Sequence, residues 1–203
     1  MDIKARMIDI IEKEAAAIRA IRVTDAFVEA VSLLHSCNGK VVTTGIGKAG
    51  YIANKFAATM SSTGTSSFFV HPAEAGHGDL GMLSEEDCIV AFSTSGKSNE
   101  VLEMLNNASR NLNINTVIGI TSHMDSPLRD LSKIVLDMGS DIEEPCPINI
   151  TPSATIAVML AISDALALTL MELKNFTASD YHARHHKGYL GSVTRPAPNY
   201  GNS

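Results

Sequence analysis

Short apolar runs separated by stretches of helical spacing recur along this chain, and no other feature constrains its fold as tightly. Lys40–Thr44, Ser67–Val70, Asp87–Phe92, Thr116–Ile120 and Lys133–Asp137 each read as a short buried strand. Helical spacing predicts helices over Lys48–Ser61, Ser98–Leu112 and a short turn at Ser126–Leu131, then over Pro152–Leu173 and Ala178–His186. Ahead of the first strand, Ile8, Ile11, Ala15, Ile18 and Ile21, then Phe27, Val31 and Leu34, mark an apolar stripe in a helical region from Ile3 to Ser36. Parallel strands need crossovers, so strands alternating with helices specify a parallel sheet covered on both faces. Right-handed crossovers leave few arrangements. The expected fold is therefore α/β: a three-layer, doubly wound, five-stranded parallel sheet in the flavodoxin-like order 2-1-3-4-5. A chain of 203 residues suits one domain; it is expected over 1–195, with 196–203 a loose tail.

Composition narrows the function. A net charge of −6 offers no footing for nucleic acid or an anionic membrane. Cys37, Cys88 and Cys146 are an odd, unpatterned set, which fits a reducing cytosol better than a disulfide framework, so a cytoplasmic protein is expected. The start, MDIKARMIDIIEKE, is charged throughout and unlike a secretory leader. TIAVMLAISDALALTLMEL, from Thr155 to Leu173, approaches the ~20 residues of a bilayer crossing. Asp164 near its middle and the lack of a basic flank favour a core or interface helix.

In a sheet of this order, ligands bind beyond the carboxyl ends of the strands, where the order reverses between the first and third. Two polar loops leave those ends: Gly45-Ile46-Gly47-Lys48, and Ser93-Thr94-Ser95-Gly96-Lys97-Ser98. The first belongs to a G-x-G-x-x-G pattern completed by Gly50. A dinucleotide site would need a carboxylate at the tip of the second strand, which instead ends Val70-His71-Pro72. The second imitates a nucleotide-binding G-K-S, but its first glycine would fall at Ala91. What Ser93, Thr94, Ser95 and Ser98 do offer is a group of hydroxyls at a helix start, suited to one phosphate; simple capping would account for Ser98 alone. In HPAEAGHGDLG, from His71 to Gly81, His77 or Glu74 has the chemistry of an acid or base. Glu100 either favours its helix dipole or faces the cleft with Lys48. His182, His185 and His186 have metal-compatible spacing, but a solvated helix end is preferred, and no metal or cofactor is expected.

These residues lie in segments that resemble the sugar isomerase (SIS) family, and within it the D-arabinose 5-phosphate isomerases. The segments are GIGKAGYIANKFAATMSSTGTSSFFVHPAEAGHGDLGML, FSTSGKSNEV, TPSAT with ISDALALTL, and FTASDYHARHHKGYLG. The resemblance implies aldose–ketose isomerisation between D-ribulose 5-phosphate and D-arabinose 5-phosphate, feeding synthesis of the sugar Kdo for lipopolysaccharide or capsule. It places the family's functional lysine on Lys48, its histidines on His77 and His185, and its glutamate on Glu100. Phosphate-binding positions fall on Gly47, Ser93, Thr94, Ser95 and Ser98, supported by Thr151, Ser153 and Thr155. It also implies a homotetramer with shared sites. Departures are Ala49 where serine is usual after the lysine, and His186-Lys187-Gly188 where His-Pro-Gly-Gly is usual, so His186 stays a candidate beside His185. Long members carry two CBS domains beyond this point; without them, an effector is expected in the active cleft, as a Kdo-type sugar. The alternatives are an isomerase of another phosphosugar, such as sedoheptulose 7-phosphate, and a non-catalytic sensor.

Overall fold

The strands are β1 (Val41–Gly45), β2 (Ser67–Phe69), β3 (Cys88–Phe92), β4 (Val117–Thr121) and β5 (Ile134–Asp137) in a computed structural model that describes residues 1–195. The tail expected over 196–203 lies outside the described residues. The sheet order is β2-β1-β3-β4-β5 with every pair parallel, as the alternation predicts. Residues of β1, β3 and β4 are buried along their whole length, which is why those strands read as continuous apolar runs and not as alternation. Threonine is tolerated inside because its hydroxyl finds a carbonyl: Thr43 donates to Ala53 O at 2.8 Å and Thr44 to Val70 O at 2.9 Å.

Alternate residues of the strands divide between two apolar layers. Val41, Val90, Phe92, Ile118 and Leu136 pack with α2 (Asp25–His35), α3 (Gly47–Ser62) and α7 (Ala154–Leu173). Val42, Ile89, Ala91 and Val117 pack with α5 (Asn99–Leu112), α4 (Pro72–Ala75) and α6 (Pro127–Asp130). Among the described residues α7 is the one helix long and apolar enough to cross a membrane. It is instead a core helix, packed on α3, on α2 and on α1 (Ile3–Arg19), and its Asp164 pairs with Lys55 of α3.

Three boundaries differ from the sequence reading. The helical region from Ile3 to Ser36 is two helices, α1 and α2, because the chain leaves helical geometry after Ala20 and Thr24 starts a new helix. Ile8 and Ile11 of the α1 stripe stay exposed. The polar helix ends earlier, as α8 (Ala178–Arg184), and a separate α9 (Gly188–Val193) follows. The helix over Pro152–Leu173 begins at Ala154, where Ser153 takes the N-cap position.

Candidate active site

Register brings the two polar loops side by side. Gly45, the last residue of β1, pairs with Phe92, the last of β3, so Gly47-Lys48 and Ser93–Ser98 leave the sheet at one level. The glycine pattern has a packing explanation. Gly47 has φ +62° with open space around it, so its backbone turns freely into α3. A Cβ on Gly50 would sit 2.6 Å from Gly45 O, so the third glycine lets α3 lie against β1. Lys48 is exposed in the first turn of α3, outside the ion pairs seen among the described residues.

The Ser93–Ser98 loop leads into α5 with Ser98 at the N-cap. Capping is not what its hydroxyl does: Ser98 makes no side-chain bond to the helix, and its Oγ lies 3.0 Å from Oγ of buried Ser93. The first N–H groups of α5 are left for another acceptor, at the positive end of a fourteen-residue helix. Ser95 Oγ accepts the Lys97 N–H at 3.2 Å, folding the loop around φ-positive Gly96.

His77 and Glu100 come together. The stretch His71–Gly81 is not a plain loop: it enters a 3-10 turn at Asp79–Met82 and forms α4, which packs on α5. Between them lies a cavity of about 360 Å³ whose polar wall is His77, Glu100, Glu103 and Asn107, with Leu80 and Met104 apolar. Glu103 and Asn107 were not singled out from sequence, though helical spacing from Glu100 puts them on the same face. Glu74 is exposed and lies outside that wall. Neither Lys48 nor any residue of the Ser93–Ser98 loop lines that cavity.

The C-terminal histidines do not converge. His185 caps α8, its ring stacked on Tyr181 at 4.1 Å, with Nδ1 buried and unpartnered. His182 Nδ1 lies 3.4 Å from Thr194 Oγ1, and His186 is exposed. None of them lines the cavity.

The Thr151–Thr155 group is engaged elsewhere. Buried Glu144 sits on the N-terminus of α7, where Oε2 accepts the N–H groups of Ser153 and Ala154, both at 2.8 Å. Its Oε1 accepts the Thr155 N–H at 3.2 Å and the Thr155 hydroxyl. Ser153 Oγ donates to Glu14 of α1. A carboxylate of the chain thus fills the anion position that this helix start offers. Sequence reasoning missed Glu144, because nothing in a linear pattern links it to a cap nine residues on. Next to it, Cys146 Sγ accepts N–H groups from Ile150 at 3.3 Å and Thr151 at 3.2 Å. The Thr151 hydroxyl, then these N–H groups, pull the Cys146 thiol down to about 7.

The SIS domain family model matches residues 33–169. The arabinose 5-phosphate isomerase KdsD of Pseudomonas aeruginosa is 43% identical over 181 residues, covering 89% of this chain and 55% of that protein. The chain therefore spans about half the length of the curated relatives it matches. Among solved structures, Escherichia coli CFT073 c3406 in complex with A5P superposes with a TM-score of 0.85 at 35% identity, covering 91% of this chain and 97% of that one. A Bacteroides fragilis candidate phosphosugar isomerase involved in capsule formation has a TM-score of 0.84 at 42% identity, covering 90% and 97%.

Proposed function

Because the chain belongs to the SIS domain family, we propose that it interconverts D-arabinose 5-phosphate and D-ribulose 5-phosphate by aldose–ketose isomerisation. The observation that carries this reading is the cavity wall shared by His77 and Glu100, which adjoins a hydroxyl loop with an uncapped helix start. Relatives named arabinose 5-phosphate isomerase and a neighbour bound to A5P support it.

The phosphate sits on the Ser93–Ser98 loop and the first N–H groups of α5, with Gly47 leaving room beside it. Glu100 or His77 takes the proton from C2 of the open-chain aldose, exchanges it with solvent, and delivers a proton to C1, through a cis-enediolate. The Lys48 ammonium stabilises the negative oxygen of that intermediate, a task for a cation placed before charge develops. His185 opens the ring or moves a hydroxyl proton. In one chain His185 stands apart from the cavity, so it reaches a site in a neighbouring copy of a homotetramer, for which the exposed Ile8 and Ile11 of α1 supply contact surface. Thr151, Ser153 and Thr155 support the site indirectly, through the segment that Glu144 anchors.

The product serves Kdo synthesis for lipopolysaccharide or capsule, in the cytoplasm. A Kdo-type sugar, an anionic polyol like the substrate, competes for the same cleft. NMR assays of ribulose 5-phosphate, sedoheptulose 7-phosphate and glucosamine 6-phosphate test the proposal. Conversion of ribulose 5-phosphate alone is expected; preferred turnover of another sugar, or tight binding without turnover, overturns it.

A further inference from the structure

Four hydrogen bonds tie the anion loop to the next strand and the segment after it. Ser93 N–H donates to Ile120 O at 3.1 Å, Ser122 N–H to Thr94 O at 3.0 Å, and Leu128 N–H to Gly96 O at 3.1 Å. The fourth comes from a side chain: Thr121 Oγ1 donates to the same Thr94 O at 3.0 Å. Thr121 is the last residue of β4 and fully buried, and its Oγ1 also accepts the His123 N–H at 3.2 Å. One hydroxyl therefore joins the turn after β4 to the loop after β3. Gly96 closes the contact from the other side: a Cβ there would lie 1.9 Å from Ser126 Oγ and 3.1 Å from Thr121 Oγ1.

We infer that Thr121 is a positioning residue for the substrate's phosphate, acting through the Thr94–Ser95 peptide. The peptide group is planar and trans, so its C=O and N–H point in opposite directions. Two donors hold Thr94 O inward, against β4. The Ser95 N–H, which has no acceptor among the described residues, is thereby aimed away from the sheet, toward the cleft. Bonds to the carbonyl also polarise the peptide and strengthen that N–H as a donor. Without the Thr121 hydroxyl, Thr94 O keeps one donor and the peptide is free to rotate. The inference rests on the proposed anion-binding role of the loop, but not on which sugar is turned over.

Thr121→Val keeps the shape of the side chain and removes the hydroxyl; Thr121→Ser keeps the hydroxyl. Each is compared with the parent in two readouts: steady-state kinetics on ribulose 5-phosphate, and the rise in Tm produced by inorganic phosphate. The valine variant is expected to raise KM about tenfold, the equivalent of one lost hydrogen bond, with kcat within about twofold. It also loses most of the phosphate-induced Tm rise, and serine restores both. Unchanged KM and phosphate response in a folded valine variant overturn the inference, as does a fall in kcat alone. If the valine variant does not fold, the parent decides: phosphate must shift the Ser95 amide resonance, and an unmoved amide overturns the inference. A phosphate response that depends on Thr121, in a parent that isomerises no pentose phosphate, refutes the proposed activity and leaves the positioning role standing.

Discussion

Replacing Glu144 by glutamine tests how the polar end of α7 is held. The carboxylate accepts three backbone N–H groups and one hydroxyl at the start of a twenty-residue helix. Glutamine keeps one oxygen, which can still serve Ser153 and Ala154. Its NH2 group then faces the Thr155 N–H, donor against donor, and the opposite rotamer leaves two backbone donors without acceptors. One buried unsatisfied donor costs about 1–3 kcal/mol. Loss of a charge at a helix N-terminus adds roughly 0.3–2 kcal/mol. The expected destabilisation is therefore about 2–4 kcal/mol, the larger part from the unsatisfied donor. Glu144→Ala leaves all three N–H groups without the carboxylate and is expected to cost about 3–5 kcal/mol, the range for breaking a buried charged interaction. Urea unfolding followed by circular dichroism measures both, with an unchanged m-value as the sign that the denatured state is not altered. A glutamine variant within about 0.5 kcal/mol of the parent, the usual size of a surface substitution, refutes the capping account.

Three further outcomes are expected. Gly96→Ala combines a left-handed backbone with a clash, since φ is +63° and the new Cβ would lie 1.9 Å from Ser126 Oγ. It should cost roughly 2–5 kcal/mol in urea unfolding, and a second change, Ser126→Gly, should return the overpacking part but not the ~1–2 kcal/mol of backbone strain. Cys146, with its thiol held near 7, becomes thiolate as pH rises through that value, so alkylation by iodoacetamide should reach half its limiting rate near pH 7, with Thr151→Val moving the midpoint upward. Cys88, whose thiol burial pushes up to about 12, should stay unmodified while the fold is intact; its alkylation at a rate like that of Cys146 would contradict its placement.

The sheet was legible because β1, β3 and β4 are buried on both faces, so their apolar runs are continuous and their order follows from crossover geometry. The break between α1 and α2 was not. Ile18, Ile21 and Phe27 continue the apolar spacing through it, and no glycine or proline stands between Ala20 and Thr24. The end of α8 was hidden in the same way, since His185 and His186 carry no breaker and Gly188 comes late. The switch point between β1 and β3 could be read from topology alone, which sets the loops that leave those two strands side by side. The partners of the hydroxyls could not. Ser98 has the residue type and position of a cap, yet it faces Ser93; Thr155 resembles a phosphate ligand, yet it faces Glu144. Both outcomes depend on groups brought in by tertiary packing.

If the isomerisation passes through proton transfer at C2 and an enediolate, that proton exchanges with solvent. Arabinose 5-phosphate incubated with the protein in D2O is expected to lose its C2 proton signal as ribulose 5-phosphate appears, and to carry deuterium at C2 when it is re-formed. Glu100→Gln or His77→Gln, whichever removes the base, should abolish that exchange while inorganic phosphate still raises Tm. Conversion that carries the C2 hydrogen wholly to C1 with no deuterium incorporated, or phosphosugar binding with neither exchange nor conversion, would contradict this mechanism.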